Sequence, residues 1–410
     1  MKRLINTYLL PVVVLFVIFF DEFFNCAAIV VGFTVESGMK QYEAMLLAAI
    51  GYSMLAYNLL NGRINKREHQ VFVVLFAILF LYILTPVFYN NSINKHTVFL
   101  FVYGAECIPA AIIGMSFAKS VNLHKVNDLL PFVVIPITVL IGTLGLAAAM
   151  MGTTVGAASY QEGGDSGLNY QSLSYFMAFS YTYAFYYAFY GNQKRGLVNL
   201  LTRVAMAADM LFCLAVCMMG GGRGGFVYMV IISIFLLFFY LKSSKRHRGH
   251  AAIIIILLVL ASIYIALSMD VMQSKGMERV ANNLTEDGTR RQLYQSAFDV
   301  FLSSPIIGKG VGSIWWTVGF YCHNMFLDLL AETGLIGTFF FISIIWRSFK
   351  KLYRLSDSDK IFLFMFLIMA GGFVKYMFSG YYIGAIQLYF VCSFVYCLPQ
   401  YKSKSIEIAR

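Results

Sequence analysis

The chain has 410 residues, of which 60% are hydrophobic and 12% charged, and its formal net charge is +11. Soluble domains are roughly 45–50% apolar and about 25% charged, so a soluble fold of this composition is excluded; it has nowhere to bury the surplus apolar surface, whereas a bilayer welcomes it on the outside of helices. The cations sit in short loops between apolar runs, with no basic tail or recognition helix, so the charge sets topology and does not point to nucleic acid.

Met1-Lys2-Arg3 and the apolar run behind it resemble a secretory leader. No small-x-small cleavage site follows promptly, and a retained first helix is expected. A spanning helix needs about 20 mostly apolar residues. Candidates fall near residues 5–35, 42–60, 71–89, 98–117, 129–150, 171–190, 204–219, 226–241, 251–269, 322–346, 361–379 and 383–398. Asp21 and Glu22 interrupt the first of these.

With the N-terminus inside and loops alternating, the inner segments collect most of the 31 Lys and Arg residues, among them Arg63, Lys66, Arg67, Lys119, Lys125, Arg203, Lys242, Arg347, Lys350 and Lys351. That is the positive-inside pattern. The expectation is an all-α, polytopic integral membrane helix bundle of about 12 transmembrane helices, with both termini cytoplasmic. Residues 1–269 would hold the first nine helices and a glycine-rich outer turn at 219–225. Residues 270–321 would form a large outer loop containing an amphipathic helix, and 322–410 the last three helices. The seven cysteines lie mostly in apolar runs without a CxxC pair and read as small buried hydrophobes, not as a disulfide framework or zinc site.

Cations on the outer face run against the positive-inside bias, so Arg223, Arg290 and Arg291 ask for a reason. Arg223 lies in Gly220-Gly221-Gly222-Arg223-Gly224-Gly225. Glycines allow close backbone approach, successive amides can cradle an anion, and an arginine adds a bidentate phosphate donor. The alternative is a flexible hairpin whose Arg snorkels to headgroups.

Arg290 and Arg291 open a segment in which Leu293, Ala297, Phe298, Phe301 and Leu302 recur at helical spacing, with Thr289 as a cap. Such a helix would lie on the membrane surface or pack over the bundle, its arginines at the anion-favouring N-terminus. The alternative is an interfacial helix with headgroup-facing cations. His323 opens the next helix at the membrane boundary, where the dipole disfavours imidazolium and leaves a group able to accept a proton; a lone interfacial histidine is more often structural. Asp328 and Glu332, one turn apart, are costly at membrane depth and should face the protein interior or a wet cavity.

Two arginine sites and a base at the boundary suit an anion with its tail in the membrane, such as a lipid-linked diphosphate sugar. At these residues the sequence resembles the O-antigen ligases and the O-antigen or capsule polymerases of bacterial envelopes. Gly222-Arg223-Gly224 is similar to that family's Ser/Gly-x-Arg-Gly turn. Arg290-x-x-x-Tyr294, with Pro305-x-x-Gly308-x-Gly310-x-Gly312, is similar to its Arg-x-x-x-Trp and Pro-x-x-Gly-x-Gly pattern, departing at Tyr294 and at the extra Lys309. His323-Asn324 followed by Gly334-Leu335-Ile336-Gly337 is similar to its His-Asn…Gly-x-x-Gly signature.

The resemblance implies an inner-membrane, metal-independent glycosyltransferase without cofactor, its active site on the periplasmic face. His323 would be the base and Arg223 and Arg290 would bind diphosphate; Arg291 is adjacent and the register is ambiguous by one. Asn324, Gly222 and Gly224 would support them. The implied partners are an undecaprenyl-diphosphate-linked oligosaccharide and the bilayer, with room for a chain-length regulator protein. The expected reaction is polymerisation of lipid-linked repeat units. The alternatives are ligation of the glycan to lipid A-core and, in a different class, a flippase, for which Glu106 and Asp209 would be the midplane residues. Tyr160, Trp315, Trp316, Tyr321, Tyr381 and Tyr382 can stack on sugars or form an interfacial aromatic belt, with the belt favoured for most of them.

Overall fold

The computed structural model describes residues 9–19, 39–89, 97–119, 123–150, 154–155, 168–191, 196–220, 223–243, 288–318 and 321–399. The expected ninth span at 251–269, residues 270–287 of the expected large outer loop, Gly222 and Tyr160 lie outside the described residues, as do the side chains of Arg223 and Arg290. In chain order the helices are α1 (Leu10–Phe19), α2 (Met39–Leu60), α3 (Lys66–Tyr89), α4 (Thr97–Val102), α5 (Ile108–Ala118), α6 (Lys125–Met150), α7 (Tyr170–Tyr190), α8 (Leu197–Gly220), α9 (Arg223–Ser243), α10 (Gly288–Ser303), α11 (Ser313–Val318), α12 (Met325–Leu355), α13 (Lys360–Ser379) and α14 (Ile386–Cys397). A π-turn, Tyr103–Cys107, joins α4 to α5, and a 3-10 turn, Tyr382–Gly384, precedes α14. Among the described residues the only strands are a two-residue parallel pair, Thr154–Val155 beside Leu168–Asn169.

Among the described residues, eight helical segments are long and apolar enough to cross a membrane. The protein is therefore a polytopic, all-helical membrane protein, as its composition demands, because only a helix satisfies its own backbone in hydrocarbon. The expected span at 171–190 is helix α7, which is not among the eight. Its tyrosines and serines lower its hydropathy, but Ser174, Phe176, Phe179, Ser180, Tyr183 and Tyr186 are buried, so this helix has no need of an apolar outer face.

The described residues fall into two compact units, the first drawn from Met1–Ile18, Tyr42–Leu123 and Gly288–Arg410, the second from Phe19–Gln41 and His124–Asp287. In the first unit α13 and α14 form the core, while α2 and α3 expose Met45, Leu46, Phe76, Phe80 and Leu81 outward, the arrangement expected of lipid-facing helices. Helix α3 starts on a capping box: the Asn65 amide donates to Glu68 Oε2 at 2.8 Å and the Glu68 amide to Asn65 Oδ1 at 3.1 Å.

Cations gather at this end of the unit. Lys119 pairs with Glu68 at 2.5 Å. Arg67 donates to the Leu398 carbonyl at 2.5 Å and Lys351 to the Val395 carbonyl at 2.6 Å, satisfying carbonyls at the C-terminus of α14, where positive charge is favoured. At the other end of α3, Thr85 lies where a Cβ on Gly310 would fall.

In the second unit α7 is the central helix. Arg203 on α8 donates to the carbonyls of Ala188 and Phe189 at 2.9 and 3.0 Å, closing the last turn of α7. Gly142 on α6 leaves room for the Phe212 ring and Gly145 for Leu173.

Candidate active site at the start of helix 12

Helix α12 begins at Met325, two residues later than the sequence suggested. Asn324 is its N-cap: φ is −143° and the side chain accepts from the amides of Phe326 and Leu327 at 3.0 and 3.2 Å. His323 therefore stands just outside the helix. It adopts φ 57°, the only positive value at a non-glycine among the described residues. Histidine is enriched in this region among L-residues, yet the conformation still costs about 1–2 kcal/mol and must be held.

The two neighbours of His323 hold it. The Cys322 amide donates to Asp328 Oδ1 at 3.1 Å and its thiol to the same oxygen at 2.9 Å. The thiol also reaches the Asn324 carbonyl at 3.4 Å. On the other side the Asp328 amide donates to the Asn324 carbonyl at 3.0 Å. Burial, and then Asp328, push the Cys322 thiol well above its usual range, so it stays a donor.

Around His323 is an aromatic wall. Its ring lies 4.6 Å from that of Tyr321, which lies 6.1 Å from Trp315 and 5.9 Å from Tyr381. Tyr381 and Tyr382 both donate to Glu332 Oε2, at 2.6 and 2.7 Å. Burial, then the Glu332 charge, raise both hydroxyls well above the tyrosine range, which keeps them protonated. The turn that carries them is braced by Cys107, donating to the Ile383 carbonyl at 2.5 Å, and by Tyr376, donating to the Gly384 carbonyl at 2.7 Å.

Asp328 is 0% and Glu332 1% exposed, the interior placement that their cost at this depth requires. Tyr381 and Tyr382 are buried too. The belt expected for most of these aromatics does not apply to this pair, because their hydroxyls have an interior carboxylate to meet.

The glycine motifs have a backbone explanation. Inside α12, Gly334 takes φ 62° and ψ −167°, breaking the helix. In an unbroken helix the amides of Leu335 and Ile336 would reach the carbonyls of Ala331 and Glu332. Here Leu335 donates to Pro305 at 2.9 Å and Ile336 to Ile306 at 3.1 Å, while Ala331 accepts from Lys309 at 3.0 Å and Glu332 from Gly310 at 2.9 Å. The 305–310 loop thus takes up all four groups that the break frees, as a boundary short of water requires. A Cβ on Gly308 would collide with the Glu332 carbonyl and one on Gly334 with the Ile306 carbonyl, and both glycines have positive φ.

Helix α10 packs over this block. Ala297 and Val300 join Ile314, Cys322 and Ala331 in a buried cluster, with Leu293, Tyr294, Phe301 and Leu327 against it. Phe298 and Leu302, expected on the same apolar face, point outward; the buried stripe is centred on Ala297, and they lie on its flank. The helix starts at Gly288, one residue before the expected cap Thr289. Arg291, in its first turn, is exposed.

Arg223 is the first residue of α9, in the second unit. The expected turn at 219–225 is shorter than predicted, since α8 runs to Gly220 and α9 restarts at Arg223. Gly224 and Gly225 are helical and press against Tyr175 and Ser174 of α7, so they serve close helix packing. Among the described residues no group of three or more His, Cys, Asp or Glu is arranged to hold a metal ion.

These features belong to a polytopic membrane protein whose candidate site centres on His323, just before a broken helix. Residues 209–342, from α8 to the middle of α12, match the family described as O-Antigen ligase. Similarity also extends to the Exopolysaccharide production protein ExoQ of Rhizobium meliloti (strain 1021), 25% identical over 161 residues, or 32% of this chain and 37% of that protein. The match thus spans little more than a third of the relative's length. No solved structure matches the chain.

Proposed function

We propose that the protein is a glycosyltransferase of the bacterial inner membrane that polymerises lipid-linked repeat units of an envelope polysaccharide. Its donor would be a glycan on undecaprenyl diphosphate and its acceptor the non-reducing sugar of a second lipid-linked unit. In the transfer His323 takes the proton of the acceptor hydroxyl. The freed oxygen bonds to the anomeric carbon of the donor glycan, the bond from that carbon to the phosphate oxygen breaks, and undecaprenyl diphosphate leaves with the electron pair. Arg223, with Arg290 or Arg291, offsets the charge that develops on the diphosphate. Asn324 would fix the start of α12 beside the base, and Gly222 and Gly224 would support the Arg223 turn. No cofactor is required. In this reading about twelve helices cross the membrane, both termini are cytoplasmic, and residues 270–321 cover the active site on the periplasmic side.

The observation that carries the reading is the coincidence of His323, held in a costly backbone conformation beside two buried carboxylates, with a family match that takes in Arg223, Arg290, His323 and Gly334 together. Strain that the surroundings over-determine is characteristic of functional positions. The cations clustered at the opposite end of the first unit support the sidedness. The name of the family favours a second reading, ligation to lipid A-core, whereas the exopolysaccharide relative favours polymerisation.

The test is reconstitution of the purified protein with an undecaprenyl-diphosphate-linked repeat unit. Longer lipid-linked glycans with release of undecaprenyl diphosphate are expected. Transfer to lipid A-core without elongation would replace the polymerase by the ligase. Wild-type turnover in Arg223→Ala and His323→Ala would remove those residues from the site.

A further inference from the structure

We propose that Asp328 is a positioning residue for His323: its carboxylate fixes Cys322, the residue before the histidine, while the first main-chain bond of α12 fixes Asn324, the residue after it, and together they hold His323 in its left-handed conformation. The inference rests on the proposed role of His323 as the base. The Asp328 side chain takes the amide and thiol of Cys322 on a single oxygen, at 3.1 and 2.9 Å. The main-chain amide at 328 donates to the Asn324 carbonyl at 3.0 Å, the first i→i−4 bond of α12, which does not depend on the side chain. The Cys322 thiol closes the ring by reaching that same carbonyl at 3.4 Å. His323, at φ 57°, sits between the two residues that these bonds hold.

Asp328 is 0% exposed, so its carboxylate serves interior partners. Its neighbour one turn on, Glu332, anchors Tyr381 at 2.6 Å, and the Tyr381 ring backs Tyr321, which flanks His323. The carboxylate at 328 thus sets the histidine backbone, while the one at 332 sets the wall beside its ring.

The test uses the full chain in membranes, the undecaprenyl-diphosphate-linked repeat unit as donor, and three variants: Asp328→Asn, Cys322→Ala and Cys322→Ser. Two readouts are taken, kcat and KM for the donor, and the rate at which diethyl pyrocarbonate modifies His323, read by mass spectrometry. A displaced base loses turnover without losing substrate binding, so Asp328→Asn should lower kcat about tenfold or more and leave KM within about threefold. Cys322→Ala should fall between it and the wild type. Cys322→Ser keeps a side-chain donor to Asp328 and should restore both turnover and the modification rate. Where Asp328→Asn does not fold, the Cys322 pair decides.

A folded Asp328→Asn protein with wild-type kcat and an unchanged His323 modification rate overturns the proposal, and so does a Cys322→Ser protein as impaired as Cys322→Ala. If the wild type forms no glycan product, the functional reading fails by itself. The modification rates still decide whether Asp328 positions His323.

Discussion

Tyr381 donates its hydroxyl to the Glu332 carboxylate at 2.6 Å, tying the turn before α14 to the broken stretch of α12. Tyr382 meets the same oxygen at 2.7 Å. Removing one hydroxyl leaves the carboxylate partly served. Tyr381→Phe and Tyr382→Phe should each cost about 1–3 kcal/mol, the range for a hydrogen bond to an ionisable group. The double variant should cost more than the sum, because it leaves the carboxylate without either hydroxyl. Thermal unfolding in detergent, followed by size-exclusion fluorescence, measures all three; a double variant as stable as either single one would contradict the shared role.

The glycines of the clip give a graded series. Gly308→Ala and Gly334→Ala force a Cβ into a carbonyl at positive φ, so each should lose well over the roughly 1–2 kcal/mol of the backbone strain alone. Gly62 has φ 61° with nothing within 4 Å, and Gly62→Ala should show the strain by itself. Gly104→Ala, with open space around it and helical backbone, should be neutral or stabilising by up to about 1 kcal/mol. Melting temperatures should follow that order, and equal shifts at positions 62 and 308 would refute the collision.

Cys322 should be chemically silent. Its thiol is raised above the ordinary thiol range, by burial first and Asp328 second, and only the thiolate alkylates. Iodoacetamide at pH 7–9 should leave Cys322 unmodified in the native protein and modify it after denaturation, as peptide mass mapping would reveal. Because the folded state holds this proton more tightly than the unfolded one, the thiol's contribution to stability is complete below about pH 8.5, the unfolded thiol value, and declines as pH rises above it. Native labelling at the rate of an exposed thiol would contradict this.

The start of α3 separates cap from ion pair. Asn65→Ala removes an N-cap and should cost about 0.5–2 kcal/mol. Glu68→Ala removes the reciprocal bond and also strips Lys119 of its partner at 2.5 Å, so it should cost more. Urea titration of the two variants checks the ranking.

Sequence reasoning anticipated the interior placement of Asp328 and Glu332, since a carboxylate at membrane depth is restricted in where it can sit, and it drew attention to His323 and Asn324 at the start of α12. It did not find Cys322 as a donor, because an apolar setting makes a cysteine look like packing. Nor did it find Tyr381 and Tyr382 as partners of Glu332, since aromatics at a membrane boundary have a cheaper explanation. The helix break was half visible. Gly334 and the three alternating glycines after Pro305 stood out only as parts of the resembled motifs, because pairing between two main chains leaves no side-chain signature.

The clip between 305–310 and the break at Gly334 also sets the unit of exchange for this site. Chimaeras made by grafting only the outer loop, or only the last helices, from a relative would join halves whose peptide groups were matched to different partners. A transplant that keeps the clip intact carries residues 305–337 as one cassette, and one that also keeps the wall beside the histidine adds the 381–382 turn that Glu332 anchors.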